Sequence, residues 1–359
     1  MNYRQLQNLT LGILGGGQLG RMTALAAHQL GIKVHVFTDQ PQAPAREVTS
    51  CHTIASYHDL SALQEFARQV HYITYEFENI PTTGLELLLQ QGTIIRPAPD
   101  VLAVSQDRVA EKTLASRLGI SVTDFVAINS LPQLEQELAN HTQQGTLPCI
   151  LKTRNMGYDG KGQVRITQFE QAEYAWKTVQ QMPAILESVV DFVQEVSIIT
   201  ARSVSGDIKH FPLVTNIHRQ HILAETRVPA IVDISVRQQA EQAAERLVRE
   251  LNLVGLLSVE FFVTREQKLV FNEMAPRPHN SGHWTQDFCT TSQFEQLVRA
   301  VCGWPLGSVA YRPAKMLNLL GQDMQQLPQL LQNPEAKVHL YGKKDAKTGR
   351  KMGHVNLPG

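Results

Sequence analysis

Leu256-Leu-Ser-Val-Glu-Phe-Phe-Val263 and Leu269-Val-Phe-Asn-Glu273 are two apolar stretches that each contain one glutamate and flank a short polar segment. This pattern predicts a β-hairpin whose strands are largely buried. A loop of about four residues places Glu260 directly opposite Glu273 on one face of the hairpin, whereas a loop of about five residues places Asn272 there instead. The register therefore decides whether two carboxylates face each other.

Opposed carboxylates about 5 Å apart repel each other and destabilise a sheet. A divalent cation between them removes this conflict, and ligands that are all oxygen suit Mg²⁺, which binds one or two carboxylates together with phosphate oxygens. A solvated face is the alternative, and the apolar neighbours of both glutamates disfavour it. We therefore predict Glu260 and Glu273 as the ligands of one Mg²⁺ ion.

A rigid arginine follows the hairpin directly, within Ala275-Pro-Arg-Pro-His-Asn-Ser-Gly-His-Trp-Thr285. Arg277 lies between two prolines, which hold the backbone extended, so its guanidinium is placed to bind an oxyanion with two parallel hydrogen bonds. His279 and His283 have the spacing of helical zinc ligands, but the proline and the glycine beside them disfavour a helix. We do not expect zinc here.

A glycine-rich segment, Gly157-Tyr-Asp-Gly-Lys-Gly-Gln163, follows the apolar strand Cys149-Ile-Leu-Lys152. Its backbone N–H groups can wrap phosphates, and Lys152 can present a point charge to the same anion. The segment does not match a P-loop. Two alternatives remain open: the glycine segment is a plain hairpin turn at Asp-Gly, and Lys152 is a strand-edge lysine that limits aggregation. Three glycines together with a lysine favour a phosphate-binding flap.

The first hundred residues alternate strand and helix patterns, which indicates a parallel sheet with helices on both faces. The predicted strands are Leu11–Leu14, Ile32–Phe37, Tyr72–Tyr75 and Thr93–Ile95. The first strand leads into Gly15-Gly-Gly-Gln-Leu-Gly20, which fits G-x-G-x-x-G, and Asp39 ends the next strand like the ribose-binding acid of dinucleotide domains. Three interpretations of this motif alone are open. The protein is an NAD-dependent oxidoreductase, the βαβ unit binds another ligand, or the glycines only permit close packing of helix and strand.

Composition narrows the class of protein further. The 359 residues include 33 basic and 33 acidic side chains, so no net field attracts nucleic acid or an anionic membrane. The apolar fraction of 43% excludes a disordered chain. The four cysteines are far apart, without a C-x-x-C pair, which predicts reduced thiols. Because no membrane-length apolar stretch and no signal-peptide pattern is present, we expect a cytoplasmic protein.

Together these motifs resemble those of the ATP-grasp enzymes, and most closely the family of 5-(carboxyamino)imidazole ribonucleotide synthetases of purine biosynthesis. The matching segments are Gly16–Met22, Tyr75–Ile80, Gly157–Gln163, Asn272–Thr285, His339–Lys343 and Gly349–His354. They follow the order of the family over almost the whole chain. Family members usually continue beyond the last segment into a further strand and helix, so we expect the last domain to be shortened here.

The resemblance implies an α/β fold in three parts. A doubly wound domain (the pre-ATP-grasp domain) is expected at residues 1–104 and binds the ribonucleotide substrate. An ATP-grasp domain of the α+β class is expected at 105–302, with a mobile subdomain at about 125–190. A small, β-rich C-terminal domain is expected at 303–359. ATP would lie between two antiparallel sheets of the central domain.

The same resemblance assigns the cofactors ATP and Mg²⁺ to individual residues. Arg108 and Lys152 would contact the phosphates. The flap above them would consist of Gly157, Tyr158, Asp159, Gly160, Lys161, Gly162 and Gln163. The segment at the adenine edge would be Glu187, Ser188, Val189 and Val190, with Glu195 at the ribose and His218 as a further nucleotide contact. Asn272 would lie beside the metal ligands Glu260 and Glu273.

On the substrate side, the resemblance implies that the first glycine loop binds a sugar phosphate and not a dinucleotide. The expected contacts are Gln18, Leu19, Glu76 and Asn280, with Lys343, Arg350 and Lys351 as a phosphate clamp. The implied reaction carboxylates 5-aminoimidazole ribonucleotide with ATP and bicarbonate through carboxyphosphate. Arg277 would hold the bicarbonate, Asp159 beside Tyr158 would accept the amine proton, and Lys343 would hold the substrate nearby.

Three other functions remain open at this point. The first is a related ATP-grasp ligase, such as a biotin-dependent carboxylase subunit or a formate-dependent phosphoribosylglycinamide transformylase. The second is the NAD-dependent oxidoreductase indicated by the glycine loop, and the third is a module that binds nucleotide without turnover. The expected partners are small-molecule substrates, with neither nucleic acid nor membrane, and the family implies a homodimer.

Overall fold

The computed structural model describes residues 8–155, 157 and 162–359. Its N-terminal part is a sheet of four parallel strands in the order β3-β2-β1-β4. The strands are β1 (Thr10–Leu14), β2 (Lys33–Thr38), β3 (Cys51–Ile54) and β4 (Tyr72–Tyr75), and the helices are α1 (Gln18–Gln29), α2 (Leu60–Arg68) and α3 (Thr82–Gln90). Ile13 and Val36 pack on one face of the sheet, and Leu14 and Phe37 on the other. The predicted doubly wound domain is confirmed.

One of the four strands predicted for this sheet, Thr93–Ile95, was wrong. Residues 93–95 form no strand, because Ile95 makes only a single bridge to Ile73. The fourth strand is instead β3, at the opposite edge beside β2. Three of its four side chains are exposed, so it lacks the alternating apolar pattern by which a half-buried strand is predicted.

The central part contains a small antiparallel sheet in the order β5-β8-β6-β7. Its elements are β5 (Phe125–Ile128), α6 (Leu131–Gln144), β6 (Cys149–Thr153), β7 (Gln163–Ile166), α7 (Ala172–Thr178) and β8 (Ala184–Ser188). Leu134 and Leu138 of α6 and Trp176 of α7 cover one face of this sheet and form a separate apolar core with it. The small sheet therefore carries Lys152 and Glu187 as one packed unit.

A larger sheet of nine strands forms the rest of the central part, in the order β14-β13-β9-β11-β12-β15-β17-β16, with β10 paired to β9. The strands are β9 (Phe192–Arg202), β10 (Ile208–His210), β11 (Val214–Arg219), β12 (Ile222–Val228), β13 (Gly255–Thr264), β14 (Leu269–Ala275), β15 (Ala314–Leu320), β16 (Lys337–Leu340) and β17 (Lys351–Pro358). The remaining helices are α4 (Pro99–Ser105), α5 (Arg108–Arg117), α8 (Ile234–Glu250), α9 (Thr285–Phe288), α10 (Gln293–Val301) and α11 (Leu327–Leu330).

The strands of the C-terminal part extend the central sheet and do not form a sheet of their own. β15 pairs antiparallel with β12, and β17 and β16 follow it outward. This continuity brings the basic segment between β16 and β17 next to the glycine loop of the N-terminal domain, where Lys343 reaches Gln18. In the described part of the chain, no helix has both the length and the apolar character that a membrane span requires.

Helix α5 links the N-terminal domain to the cleft between the two central sheets. Asp107 caps it, because its side chain accepts hydrogen bonds from the backbone N–H groups of Val109 and Ala110 at 3.0 and 3.2 Å. The same carboxylate binds Arg154, which follows β6, at 2.8 Å. The cap therefore fixes the first turn of α5, and with it Arg108, against the small sheet.

Candidate active site

A cleft of about 1010 Å³ lies where the N-terminal domain and the two central sheets meet. The predicted site residues that line it are Gln18, Leu19, Glu76, Arg108, Lys152, Gly157, Gln163, Glu195, His218, Glu260, Asn272, Glu273, Arg277, Asn280 and Lys351. These residues come from all three parts of the fold. The structure thus gathers most of the predicted nucleotide, metal and substrate residues around one cavity.

The hairpin of β13 and β14 pairs Glu260 with Glu273 as predicted, but through a β-bulge and not through a four-residue loop. Val263 pairs with Leu269, so the connection has five residues, and this register alone would place Asn272 opposite Glu260. A β-bulge after Phe271 shifts the register by one residue and pairs Glu260 with Glu273. Directly opposed residues of an antiparallel pair point to the same face, so both carboxylates face the cleft.

Each of these two carboxylates has one cationic or titratable partner and a side that remains open to the cleft. Arg108 Nη1 lies 2.9 Å from Glu273 Oε2, and the Glu273 side chain is 42% exposed. His279 Nε2 lies 2.9 Å from Glu260 Oε1. Burial would raise the pKa of Glu273, but the Arg108 guanidinium outweighs it and lowers this pKa to about 2. Glu273 is therefore a carboxylate at neutral pH.

The donor set at this point fits a divalent cation that prefers oxygen. Glu260 and Glu273 supply carboxylate oxygens from paired positions, and Asn272 lines the same cleft. Among residues 8–155, 157 and 162–359, no cluster of three or more His, Cys, Asp or Glu side chains is arranged to hold a metal. Two carboxylates completed by phosphate oxygens is a typical Mg²⁺ arrangement, so the residues suit an ion that binds together with a nucleotide.

A buried ion-pair network holds the predicted phosphate lysine. Lys152 Nζ lies 2.7 Å from one oxygen of Glu187, and Lys112 Nζ lies 3.4 Å from the other. The Glu187 side chain is only 4% exposed. Burial would raise the pKa of Glu187, but the two ammonium groups hold it below its ordinary value. The carboxylate predicted at the adenine edge thus faces two lysines and does not line the cleft.

The opposite wall of the cleft is partly aromatic. Phe192 and Phe262 stack with ring centroids 4.6 Å apart, and both line the cavity. Nearby, His218 Nδ1 lies 2.9 Å from Glu195 Oε2. Burial would lower the pKa of His218, but the Glu195 carboxylate raises it above its ordinary value. The two phenylalanines were not predicted, since each lies within an apolar strand and only the strand pairing brings them together.

The glycine loop is closed by a side chain of the protein itself. The carboxylate of Glu76 accepts hydrogen bonds from the backbone N–H groups of Gly17 and Gly20, the latter at 2.7 Å. Glu76 is nearly buried, and burial raises its pKa above the ordinary value. These are the N–H groups that would bind the pyrophosphate of a dinucleotide. The structure therefore argues against the NAD-dependent reading of this loop.

Arg277 is held in place by a glutamate that the sequence analysis did not assign. Its Nη2 donates to Glu78 Oε1 at 2.8 Å, and its Nε donates to the second oxygen of the same carboxylate. Burial would raise the pKa of Glu78, but the guanidinium keeps it below its ordinary value. Glu78 belongs to the acidic segment after β4, whose two acids at alternate positions were the available signal.

Among the predicted substrate residues, Lys343 and Arg350 bind other parts of the protein, whereas the side-chain amide of Asn280 is unpartnered among the described residues. Lys343 Nζ donates to Gln18 Oε1 and to the backbone oxygen of Lys351, each at 2.9 Å. The amide nitrogen and oxygen of Asn280 are buried without a hydrogen-bond partner among the described residues, in a side chain that lines the cleft. Arg350 donates to the backbone oxygen of Asp345 at 3.1 Å. Lys351 lines the cleft, whereas Lys343 and Arg350 do not.

Several predicted residues lie apart from the cavity or beyond the described structure. Ser188, Val189, Val190 and Gly162 do not line the cleft as it stands. Tyr158, Asp159, Gly160 and Lys161 are outside the described residues. Their assignments, including Asp159 as the proton acceptor, stay predictions.

Known proteins resemble this chain over nearly its whole length. An N5-carboxyaminoimidazole ribonucleotide synthase from Brucella melitensis is 43% identical, with 96% of this chain and 95% of that protein covered. A bifunctional purine synthesis protein, purC/E, from Dictyostelium discoideum is 45% identical over 96% of this chain, which covers 36% of that longer protein.

Solved structures agree in fold as well as in sequence. The ADP complex of purK, an N5-carboxyaminoimidazole ribonucleotide synthetase, has a TM-score of 0.93 at 42% identity and covers 99% of this chain and 93% of its own. An N5-carboxyaminoimidazole synthase from Aspergillus clavatus, solved with ADP and 5-aminoimidazole ribonucleotide, has a TM-score of 0.91 at 27% identity, with 99% of this chain and 94% of that chain covered.

Family profiles divide the chain in the same way. The ribonucleotide synthetase preATP-grasp domain matches residues 8–106, and the ATP-grasp domain matches residues 113–294. Fold and cleft together therefore define an ATP-grasp ligase. The phosphoribosylaminoimidazole carboxylase C-terminal domain matches residues 314–359. The chain belongs to the N5-carboxyaminoimidazole ribonucleotide synthase family, which confirms the family and the fold class that the motifs predicted.

Proposed function

We propose that this protein carboxylates the amino group of 5-aminoimidazole ribonucleotide with bicarbonate and ATP, releasing ADP and phosphate, as a ligase of purine biosynthesis. Family membership supports this activity, because the similar proteins are named as N5-carboxyaminoimidazole ribonucleotide synthases. The observation that carries the proposal is the pairing of Glu260 with Glu273 on the face of a cleft that also contains Arg108 and Arg277.

The nucleotide side of the cleft suits ATP. Arg108 and Lys152 line it as cations that can donate to phosphate oxygens, Arg108 while it keeps its contact with Glu273. The stacked pair of Phe192 and Phe262 offers an apolar surface next to the acid–imidazole pair of Glu195 and His218. An apolar surface beside hydrogen-bonding groups is the usual surround of a purine nucleoside.

Glu260 and Glu273 would hold Mg²⁺, with Asn272 beside them. Bound there with the phosphates, the ion supplies neutralisation of the charge on the transferring phosphoryl group. Arg108 would then bridge Glu273 and the phosphates, because its guanidinium already contacts that carboxylate at 2.9 Å. The bulge in β14 is what gives the protein two paired carboxylates in place of one carboxylate and one amide.

Arg277 would position the carbon source. Its guanidinium plane is fixed by Glu78 and by the backbone oxygen of Pro278, which accepts from Nη1 at 3.0 Å, so the N–H groups left on Nη1 and Nη2 can hold bicarbonate or carboxyphosphate. Attack of a bicarbonate oxygen on the γ-phosphorus forms one P–O bond and breaks another, releasing ADP. Carboxyphosphate then splits into carbon dioxide and phosphate, and the substrate amine forms a C–N bond with the carbon dioxide and loses one proton. We assign that proton to Asp159, next to Tyr158.

The ribonucleotide would bind on the side of the N-terminal domain. Lys343, held by Gln18, and Lys351 present positive charge to the substrate phosphate, and the two unpartnered amide atoms of Asn280 offer hydrogen bonds to the ligand. Leu19 and Glu76 line the same end of the cleft. We further propose that the protein is cytoplasmic and acts as a homodimer. Light scattering of the purified protein tests whether it is a dimer.

ADP release measured with and without bicarbonate and 5-aminoimidazole ribonucleotide tests the function. We expect ADP release to require bicarbonate and to increase when the ribonucleotide is added. Formate in place of bicarbonate should not support turnover. Equal ADP release in the presence and absence of the ribonucleotide would contradict the proposal.

A further inference from the structure

One face of helix α5 contacts three consecutive residues of β14. Arg108, Glu111 and Lys112 are separated by three and four positions, so their side chains leave the helix on the same side. They meet Glu273, Met274 and Asn272 respectively. Arg108 and Glu111 line the cleft and Lys112 pairs with Glu187, but the hydrogen bonds of Glu111 and Lys112 to β14 have not been given a role.

Both of these residues bind the backbone of β14. Lys112 Nζ donates to the carbonyl oxygen of Asn272 at 2.9 Å, and Glu111 Oε2 accepts from the backbone N–H of Met274 at 3.0 Å. The two hydrogen bonds lie one residue before and one residue after Glu273. The backbone on both sides of the proposed metal carboxylate is therefore tied to α5.

The bulge explains why such ties are needed. A bulge leaves backbone groups of the bulged strand without partners in the ladder, and β14 is an edge strand whose outer side makes an isolated bridge to Val122, with the N–H of Phe271 donating to the backbone oxygen of Ser121 at 2.8 Å. Without the bulge, the register of the hairpin would pair Glu260 with Asn272. The two hydrogen bonds from α5 bind β14 in the register that pairs Glu260 with Glu273.

The burial of these two side chains indicates a specific role. Lys112 is 1% exposed and Glu111 is 2% exposed, and charged residues are rarely this buried unless they are paired. Lys112 also lies 3.4 Å from Glu187 and 5.7 Å from the ring centre of Phe271. All its contacts thus lead to the bulged strand or to the ion pair of Lys152.

We propose that Glu111 and Lys112 are positioning residues that hold the bulge of β14 and thereby set Glu273 opposite Glu260 for binding of Mg²⁺. The inference rests on the proposed function, since it takes these two carboxylates as metal ligands. Both residues bind the backbone of β14, and neither is assigned here as a ligand of the metal or a contact of the nucleotide. Their effect reaches the ligand through the register of one strand.

The test measures the affinity for ADP by calorimetry in Mg²⁺ and again in EDTA, so that no turnover is involved. The ratio of the two affinities is the Mg²⁺ enhancement. In Lys112→Met and in Glu111→Leu we expect this enhancement to decrease about tenfold, the usual effect of removing an outer-shell partner of a metal site. In Glu111→Leu the affinity in EDTA should stay within about twofold of the unmodified protein, because Glu111 is not assigned to the nucleotide. Lys112→Met also removes a partner of Glu187, so its affinity in EDTA should fall as well, and the Mg²⁺ enhancement is the quantity compared.

Two further variants make the result specific. Glu111→Gln keeps an oxygen that accepts from Met274 N–H, so we expect it to retain the enhancement that Glu111→Leu loses. Lys177→Met removes a lysine that is 62% exposed and pairs with Glu173 on α7, so it should change nothing. If Lys112→Met does not fold, the comparison of the two Glu111 variants decides.

The outcomes separate this inference from the proposed function. An enhancement that Glu273→Gln abolishes but that Lys112→Met and Glu111→Leu leave unchanged would overturn the positioning role alone. No enhancement in the unmodified protein, or an enhancement retained by Glu273→Gln, would overturn the metal site itself. A reduced enhancement in Glu111→Leu, restored in Glu111→Gln, supports the inference.

Discussion

The glycine loop of the N-terminal domain and the β13–β14 hairpin both have sequences that suggest an ion site, yet the structure completes them differently. In the loop, the N–H groups of Gly17 and Gly20 already bind the carboxylate of Glu76. In the hairpin, Glu273 is paired with Arg108 on one side and is still 42% exposed to the cleft.

The difference is whether the groups keep a side open to the cleft after they have bound their partner within the protein. The two donors of this helix N-terminus that bind a buried carboxylate are not available to an anion. Two paired carboxylates with open sides retain a negative charge that a cation can neutralise. A motif in the sequence thus identifies groups that are able to bind an ion, and the fold decides which of them are already occupied.

The largest effect is expected for Glu273→Gln, which removes one carboxylate of the hairpin pair. Metal ions stabilise such transition states by several kcal/mol, so we expect ADP release to decrease by about 100-fold or more. The amide can still accept from Arg108, so thermal unfolding should change little. Glu225→Gln is the matched control, because Glu225 lies in the same sheet and pairs with Arg227 and Lys315. Equal activity of Glu273→Gln and the control would remove the metal role.

Glu76→Ala tests the other half of the comparison. Two buried N–H groups lose their acceptor, and each unsatisfied donor costs about 1 kcal/mol or more, so we expect the free energy of unfolding to decrease by about 2 kcal/mol in urea titrations. Phosphate should then stabilise the variant more than it stabilises the unmodified protein, because the loop becomes an open anion site. Glu65→Ala, at an exposed position of α2, is the control. A stability equal to that control would show that Glu76 does not hold the loop.

Much of this fold could be predicted from the sequence, since its signals are local. The apolar strands β1, β2 and β4 and the hairpin of β13 and β14 were predicted within a few residues because their patterns reflect burial directly. Edge strand β3 was missed because it is short and exposed. The paired carboxylates were predicted from a loop length that proved wrong, and the bulge restored the pairing. A bulge leaves no signal in a single sequence.

The charged groups that support the site could not be predicted in the same way. Glu78, Glu111 and Lys112 are residue types that usually lie at the surface. Only the tertiary structure places Glu78 beside Arg277, and Glu111 and Lys112 beside β14. The same is true of the two lysines that bind the Glu187 carboxylate, whose assignment to the adenine edge stays a prediction. Long-range ion pairs depend on which elements meet, and sequence periodicity does not contain that information.

A smaller effect is expected from pH at the substrate end of the glycine loop. Burial and then the nearby Arg350 lower the pKa of Lys343 to about 8. Lys343 is therefore charged below pH 8 and loses its charge as the pH rises through that value. We expect the dissociation constant for 5-aminoimidazole ribonucleotide, measured with ADP present, to increase above pH 8 with a slope approaching tenfold per pH unit. In Lys343→Met this increase should disappear, and its persistence there would assign the titration to another group.

The smallest effect is expected for Asp39→Asn, which separates the two readings of the glycine loop. Asp39 is exposed and lines a side cavity of about 590 Å³ together with Thr38, Tyr57 and Glu76. A dinucleotide would need this acid for its ribose, whereas a sugar phosphate held by Lys343 and Asn280 does not contact it in our proposal. ADP release should therefore stay within about twofold, as for most exposed substitutions. A tenfold loss would place part of the substrate in this side cavity, and the loop would then bind its ligand from the side that Glu76 leaves open.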